Sequence, residues 1–203
     1  MSKLDQLKQT IATMIKQAGS GHYASSMSAL EIMYPLFYEQ GVKPDEFVLS
    51  KGHAAPALYA ILYDLGYLKD GDMVMFRYHS YPGWRGLPGH PSLETPGVLC
   101  SSGSLGMGIS KAIGLAYANP DTIYHVLVGD GELQEGQNWE AMQYLYYNVD
   151  NVRVHVDCNC WQYSGYHMYP EMAKEFGLMF GGNPNVLVHY TTWDHDNSYL
   201  CAV

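Results

Sequence analysis

A lone acid between two glycines, in the stretch VLVGDGELQEG at residues 126–136, is the feature of the sequence best suited to chemistry. Asp130 follows an apolar run typical of a buried strand, and a helical pattern begins a few residues later. Gly-Asp-Gly after a strand usually marks a hairpin, but no second strand follows here. A carboxylate at the carboxyl end of a strand can bind a cation, and flanking glycines let phosphate oxygens approach the backbone. The stretch therefore indicates a site for a metal-bound diphosphate.

Asn159 is the candidate for a second oxygen ligand. It lies in VHVDCNCWQ, directly after the next predicted strand, with 27 residues between it and Gly131. Ligands of such sheets bind beyond the carboxyl ends of the strands, so Asp130 and Asn159 are expected to face each other there. Taken singly, a turn for Asp130 and a cap for Asn159 are the simpler interpretations. Together they indicate a Mg²⁺ site that phosphate oxygens complete.

Three histidines lie in glycine-rich turns, which are poor places for core residues. His22 stands in GSGHYASS, His53 in SKGHAAP and His90 in LPGHPS. An imidazole titrates near neutral pH and suits proton transfer at hydroxyl groups, although each of the three alone is more simply structural or exposed. The histidines without such a setting are interpreted as structural or simply exposed: His79, His125, His167, His189 and His195.

Apolar periodicity predicts strands that alternate with helices. This alternation is typical of an α/β fold with a doubly wound, mostly parallel sheet and helices on both faces. The glycine- and proline-rich loop 71–104 is long for a compact domain, so it is expected to be functional. Ser28 with Glu31 predicts a capping box at a helix start. The clearest predicted elements are helices at 4–18, 135–147 and near 170–176, and strands at 123–128, 152–156 and 186–190.

Composition excludes several classes of protein. The 203 residues, 47% apolar and 15% charged, are enough for one large folded domain, predicted to span 1–203. A charge of −9 with only 11 Lys and Arg argues against binding to nucleic acid or to an anionic membrane. The four cysteines form no disulfide framework, which predicts a reducing, cytoplasmic setting. Cys158, Cys160 and His155 could suggest zinc, but a pair of buried thiols is favoured.

Five sequence blocks resemble, in the same order, the amino-terminal diphosphate-binding domain of transketolases. They are GSGHYASSMSALEI, FVLSKGHAAPALYAIL, GLPGHPS, SSGSLGMGISKAIGLA and GDGELQEGQNWEAM. Gly-Asp-Gly, then a helix, a strand and Asn, also resembles the thiamine diphosphate fingerprint of the thiamine enzymes. The resemblance covers residues 4–163 and implies the thiamine diphosphate-binding fold.

The resemblance also implies the cofactor contacts. Mg²⁺ or Ca²⁺ would be held by Asp130, Asn159 and the backbone carbonyl of Trp161. Thiamine diphosphate would contact glycine-rich turns and one histidine: His53, Gly103, Ser104, Leu105, Gly129 and Gly131.

Substrate-side roles follow from the same resemblance. His22 and His90 would line the substrate channel and move protons at sugar hydroxyls. Glu135 would join an acidic cluster that links two active sites across a dimer. The motifs depart from the family in places, because Ser104 and Met107 stand where Pro and Gln are usual. Neither change removes a ligand.

The family's pyrimidine-binding domain and third domain have no counterpart in this sequence, and the end of the diphosphate-binding domain is expected to be shortened. In the family, a glutamate of the pyrimidine-binding domain starts ylide formation on the cofactor, and this glutamate is expected to be absent here together with that domain. The resemblance therefore implies the amino-terminal subunit of a split transketolase-like transferase, which moves two-carbon ketol units between sugars or sugar phosphates. Such a chain is expected to be inactive alone and to need a separate pyrimidine-binding chain, in a heterotetramer, with a homodimer as the other arrangement.

Two alternatives remain open from the sequence. One is a non-catalytic cofactor-binding or scaffold module derived from a transketolase. The other is a thiamine-dependent enzyme that acts on other ketoses or on α-keto acids.

Overall fold

The computed structural model of the chain describes residues 1–78, 86–159, 179 and 184–191. The chain forms two compact units. We call Met1–Asp45 with Gly52–Gly103 the helical unit, and Glu46–Lys51 with Ser104–Val203 the sheet unit. The elements are the helices α1 Lys3–Ala18, α2 Tyr23–Tyr38, α3 Ala55–Asp64, α4 Asp70–Val74, α5 Gly108–Ala118 and α6 Gly136–Asn148, and the strands β1 Phe47–Leu49, β2 Tyr124–Gly129, β3 Val152–Cys158 and β4 Val186–Tyr190.

The helical unit begins with a well-capped amphipathic helix. The side chain of Ser2 accepts a hydrogen bond from the amide of Asp5, and the carboxylate of Asp5 accepts one from the amide of Ser2. This capping box satisfies two amides that the helix leaves without intrahelical partners. The apolar stripe of α1, which includes Leu7, Ile11 and Met14, is buried against α2 and α3. The helix predicted at 4–18 is therefore confirmed.

The start of α2 corrects one prediction from the sequence. The helix begins at Tyr23, directly after His22, and not at Ser28. Ser28 is buried inside the helix, and its hydroxyl donates to the carbonyl of Ser25 at 3.1 Å. Inside a helix, a serine hydroxyl can donate to a carbonyl of the preceding turn, whereas at a helix start it accepts from a backbone amide. The sequence pattern could not separate these two uses.

The sheet unit is built on four parallel strands in the order β1-β2-β3-β4. Strands β2 and β3 are buried along almost their whole length, as expected for central strands of a parallel sheet. Helix α5 packs on β1, β2 and β3, and α6 packs on α5. Strands β2, β3 and β4 and helix α6 occupy the ranges predicted from periodicity, apart from shifts of one or two residues. The α/β fold with a parallel sheet is confirmed.

The described residues do not test two of the predictions from the sequence. The helix expected near 170–176 falls outside the described residues. The prediction of one diphosphate-binding domain over 1–203 stays a prediction. Within the described ranges, no helix is long and apolar enough to cross a membrane.

Three histidines cross the sheet side by side, one on each of β2, β3 and β4. Nδ1 of His125 lies 3.0 Å from Nε2 of His155, and Nδ1 of His155 lies 3.0 Å from Nε2 of His189. Neighbouring rings are stacked with their centroids 5.3 Å apart. Because His155 uses both ring nitrogens in these contacts, it is not placed to share a metal with Cys158. Of the two thiols interpreted as buried, Cys158 is buried and free, and Cys160 lies outside the described residues.

Candidate functional site

The candidate metal ligand Asp130 lies where β2 ends. Its backbone amide donates to the carbonyl of Asp157 at 3.1 Å, so the β2–β3 ladder continues one residue beyond the strand. Its carboxylate accepts a hydrogen bond from the amide of Gly131 at 2.8 Å, and the residue is only 3% exposed. A short 3-10 helix at Gly131–Gln134 then leads into α6. The chain thus holds a buried carboxylate at the carboxyl edge of the sheet.

The end of β3 brings Asn159 to the same edge. Gly129 of β2 pairs with Asp157 of β3, so Asp130 and Asn159 each follow directly from paired strand ends. Cys158 is the last residue of β3, directly before Asn159, and it is buried. Its burial, with the charges of Asp130 and Asp157, raises the pKa of its thiol to about 12. This negative environment favours a cation at the edge.

The donor set at this edge fits a hard cation. A carboxylate and an amide oxygen are the ligand types that Mg²⁺ and Ca²⁺ prefer. Within the described ranges, no group of three or more His, Cys, Asp or Glu side chains is arranged for a metal ion. The predicted third ligand, the carbonyl of Trp161, lies outside the described residues. The chemistry of Asp130 and Asn159 therefore fits a magnesium-type ion that gains other ligands from a bound phosphate.

A buried ion pair stands beside this edge. The ammonium group of Lys51 contacts the Oδ2 atom of Asp157, and the hydroxyl of Thr191 donates to Oδ1 of the same carboxylate. The side chains of Lys51 and Asp157 are 2% and 0% exposed. The ammonium group of Lys51 thus balances the charge of Asp157.

Glu132 was not identified from the sequence, although it lies at the centre of the site's hydrogen bonds. It is 3% exposed, and its carboxylate accepts from the hydroxyl of Ser50 and from the amides of Gly106 at 2.9 Å and Gly129 at 3.1 Å. Burial raises its pKa, and these three donors oppose the rise. An acid directly after Gly-Asp-Gly, next to apolar Leu133, was the available signal.

The predicted cofactor loop GSLG begins at Gly103, the last residue of the helical unit, and comes before α5. Gly103, Ser104 and Leu105 are exposed, whereas Gly106 is buried. Leu105, at 40% exposed, is an apolar side chain held in solvent next to a buried glycine. Glu135 is also exposed and stands at the start of α6, where it precedes the first helical residue.

The helical unit contains the three predicted histidines. The rings of His22 and His53 meet edge to face with their centroids 5.2 Å apart. The carbonyl of His22 accepts from the amide and hydroxyl of Ser26, at 3.0 and 2.7 Å, which fixes it at the first turn of α2. The hydroxyl of Tyr59 donates to the carbonyl of His90 at 3.2 Å.

The turns that carry His53 and His90 approach each other within the helical unit. A Cβ atom on Gly52 would lie 2.0 Å from the Oγ atom of Ser102 and 3.0 Å from Cδ2 of His90. Only a glycine fits at that position, because a real side chain needs a larger separation. This explains the glycine before His53 without reference to a cofactor.

His90 opens into a cavity of about 830 Å³ in the helical unit. Arg77 lines the same cavity, and its Nη1 atom donates to the Oγ atom of Ser20 at 2.7 Å. Partial burial first, and then the charge of Arg77, hold the pKa values of His22 and His90 below the usual value for histidine. Both rings are therefore neutral at neutral pH and can accept a proton.

In parallel α/β sheets, ligands bind beyond the carboxyl ends of the strands, which is the edge where Asp130 and Asn159 lie. The sequence model described as "Transketolase, thiamine diphosphate binding domain" matches residues 3–162. The chain belongs to the transketolase family.

Its relatives include much longer transketolases and a shorter, divided one. The human transketolase is 40% identical over 157 residues, which cover 70% of this chain and 25% of the human protein. The mouse transketolase-like protein 2 is 38% identical over 155 residues, or 69% of this chain and 24% of that protein. One subunit of the apulose-4-phosphate transketolase of Phocaeicola vulgatus is 32% identical over 173 residues, or 78% of this chain and 60% of that subunit. The chain thus spans about a quarter of the length of the longer transketolases it matches.

Proposed function

We propose that the chain is the amino-terminal subunit of a thiamine diphosphate-dependent, transketolase-like enzyme. The reaction is transfer of a two-carbon ketol unit between sugars or sugar phosphates. The observation that carries this proposal is the buried carboxylate of Asp130 at the end of β2, beside the strand end that leads to Asn159. Family membership supports the same assignment. The residues 1–203 would form a single diphosphate-binding domain with a shortened end.

The metal would be Mg²⁺ or Ca²⁺, held by Asp130, Asn159 and the carbonyl of Trp161. A cation so placed neutralises a diphosphate in a protein of charge −9. When bound, thiamine diphosphate supplies the carbanion chemistry. The chain's glycine-rich turns and one histidine would bind and orient it, through His53, Gly103, Ser104, Leu105, Gly129 and Gly131.

His22 and His90 would move protons at sugar hydroxyls. Their lowered pKa values keep both rings neutral at pH 7, which is the state that a proton acceptor needs. The cavity beside His90 is large enough for a sugar phosphate. Glu135, exposed at the start of α6, would contact an acidic group of a neighbouring chain.

The chain would act with a separate pyrimidine-binding subunit. A subunit of a related transketolase matches this chain over 60% of that subunit's length, which supports a divided enzyme. A heterotetramer is the arrangement we favour over a homodimer, and the cytoplasm is the proposed location. Without the pyrimidine-binding subunit the chain would be inactive.

Calorimetric titration with thiamine diphosphate and Mg²⁺ tests the proposal, with the chain alone and with a co-purified pyrimidine-binding subunit. Asp130→Ala should abolish binding because the cation loses its only carboxylate ligand of the predicted set. Asp121→Ala, an equal charge change on an exposed turn residue, should bind like the wild type. Absence of binding by the wild type under both conditions would refute the enzyme assignment and favour a non-catalytic scaffold.

A further inference from the structure

We infer that Glu132 is a positioning residue that fixes the cofactor-binding loops of the proposed site. The inference rests on the proposed function and adds to it a residue that neither the family resemblance nor the predicted ligand set includes. It is carried by three hydrogen bonds to one buried carboxylate, which come from three separate parts of the sheet unit.

The three donors belong to three different segments. Ser50 follows β1, Gly106 ends the GSLG loop, and Gly129 is the last residue of β2. Oε1 of Glu132 accepts from both Ser50 and Gly106, and Oε2 accepts from Gly129. One rigid carboxylate group therefore sets the spacing between the GSLG loop and the residue that precedes Asp130.

Further hydrogen bonds hold the backbone of Glu132 and the hydroxyl of Ser50 in place. The side-chain amide of Asn138 donates to the backbone carbonyl of Glu132 at 2.6 Å, which ties it to the buried side of α6. The amide of Gly108 donates to the hydroxyl of Ser50 at 3.1 Å. The hydroxyl of Ser50 thus receives one hydrogen bond from α5 and gives one to Glu132. The three donors together fix the plane of the carboxylate.

The loop needs such an anchor because its backbone is unusual. Gly106 has φ of +84°, and a Cβ atom on it would lie 2.7 Å from Cβ of Glu135. Glycine loses more conformational entropy on folding than other residues. A strong hydrogen-bond acceptor for the Gly106 amide is therefore needed to hold this residue in its left-handed conformation. Gly103, Ser104 and Leu105, the proposed cofactor contacts in this loop, are exposed and gain their position from Gly106.

The variant Glu132→Gln tests the inference, since it keeps the shape and replaces one acceptor oxygen with a donor NH₂ group. That group must face either Gly129, or Gly106 together with Ser50, so at least one backbone amide loses its acceptor. Hydrogen exchange of the affected amide, Gly106 or Gly129, should accelerate about tenfold or more in the chain without cofactor. Glu140→Gln, an equal change on the exposed side of α6, should leave both rates unchanged.

A second comparison separates positioning from stability. Val154→Ala, in the buried β3 strand, lowers stability elsewhere in the sheet unit. The two variants are compared at equal unfolding free energy, measured in urea. Glu132→Gln should then bind thiamine diphosphate at least about tenfold more weakly than the wild type, and Val154→Ala should not. Should Glu132→Gln fail to fold, Ser50→Ala removes one of the three donors and should accelerate exchange at Gly106 in the same direction.

The outcomes separate this inference from the proposed function. Unchanged exchange at Gly106 and Gly129 overturns the positioning role, whether or not the chain binds cofactor. Accelerated exchange with wild-type cofactor affinity overturns it as well. If the wild type binds no thiamine diphosphate, the proposed function fails, and the exchange rates alone decide whether Glu132 fixes the loop.

Discussion

At the scale of single residues, the carboxyl edge of the sheet is a problem of buried negative charge. Three acids are almost fully buried there, and each is compensated differently. Asp157 has the ammonium group of Lys51, and Glu132 has three hydrogen-bond donors. Asp130 accepts from the neighbouring amide of Gly131 and still contributes to the raised pKa of Cys158. We propose that Asp130 also holds a bound cation.

The ion pair of Lys51 and Asp157 makes a prediction about stability. Lys51→Met should destabilise the chain by about 3–5 kcal/mol, because it leaves a buried carboxylate without its counter-charge. Lys3→Met breaks a pair with Asp64 whose side chains are 42% and 24% exposed, and should cost less than about 1 kcal/mol.

Urea unfolding of both variants at neutral pH measures the difference. Equal costs for the two lysines would mean that Asp157 is compensated by some other group. The double variant Lys51→Met with Asp157→Leu should recover most of the loss, since no buried charge remains.

At the scale of elements, the histidine row joins β2, β3 and β4 through their side chains. If Nδ1 of His155 carries its proton, it donates to His189 and must accept from His125 at Nε2. The three rings therefore share one tautomer, and they change tautomer together. Burial lowers all three pKa values, that of His155 to about 3. Arg153 lowers the pKa of His125 and His155 further, whereas Asp157 raises that of His189.

The row predicts that stability falls as the solution becomes mildly acidic. His155 stays neutral in the fold down to about pH 3, whereas in the unfolded chain it takes up a proton below about pH 6.5. Above pH 6.5 neither state is protonated and the contribution is constant. Below it, the unfolded state binds more protons, so stability should fall by about 1.4 kcal/mol per pH unit for this residue.

Urea unfolding at pH 7.5 and pH 5.5 checks this direction. His155→Leu should reduce the dependence between these pH values, because it removes the histidine whose pKa the fold lowers to about 3. A wild type equally stable at both pH values would show that the row is protonated in the folded chain.

At the scale of the whole molecule, the chain matches only part of its longer relatives. It spans 25% of the human transketolase and 60% of a transketolase subunit. Exposed aromatic side chains on the sheet unit, among them Tyr117, Tyr144 and Tyr147, are of the kind that protein–protein interfaces cover. The proposed catalytic cycle also needs a pyrimidine-binding domain. The match to a transketolase subunit is the observation that supports the divided enzyme we propose.

We therefore expect no ketol transfer from the purified chain, because the group that starts ylide formation is expected on the pyrimidine-binding subunit. Activity should appear when that partner is supplied, and should be lost again with the Asp130→Ala chain. A coupled assay of sugar transfer measures both. Transfer by the chain alone at a normal enzymatic rate would contradict the divided enzyme.

The sequence alone was enough to predict the parallel α/β fold and most of its elements. Local patterns determine these: the apolar runs of β2 and β3, the amphipathic stripe of α1, and the order of the motifs that carry the family resemblance. The start of α2 was missed because Ser28 with Glu31 imitates a cap. The roles of Asp130, Asn159, His22, His53 and His90 were predicted from motifs, and they remain proposals.

Only the tertiary structure decided which partners the buried polar groups have. Glu132 meets Ser50 across 82 residues of sequence, and Lys51 meets Asp157 across 106. His125 and His189 were interpreted as structural or exposed, because nothing local indicates that β2, β3 and β4 align them with His155. Hydrogen bonds and ion pairs of this kind depend on strand register and burial, which arise when distant segments pack and are not written in any short stretch of sequence.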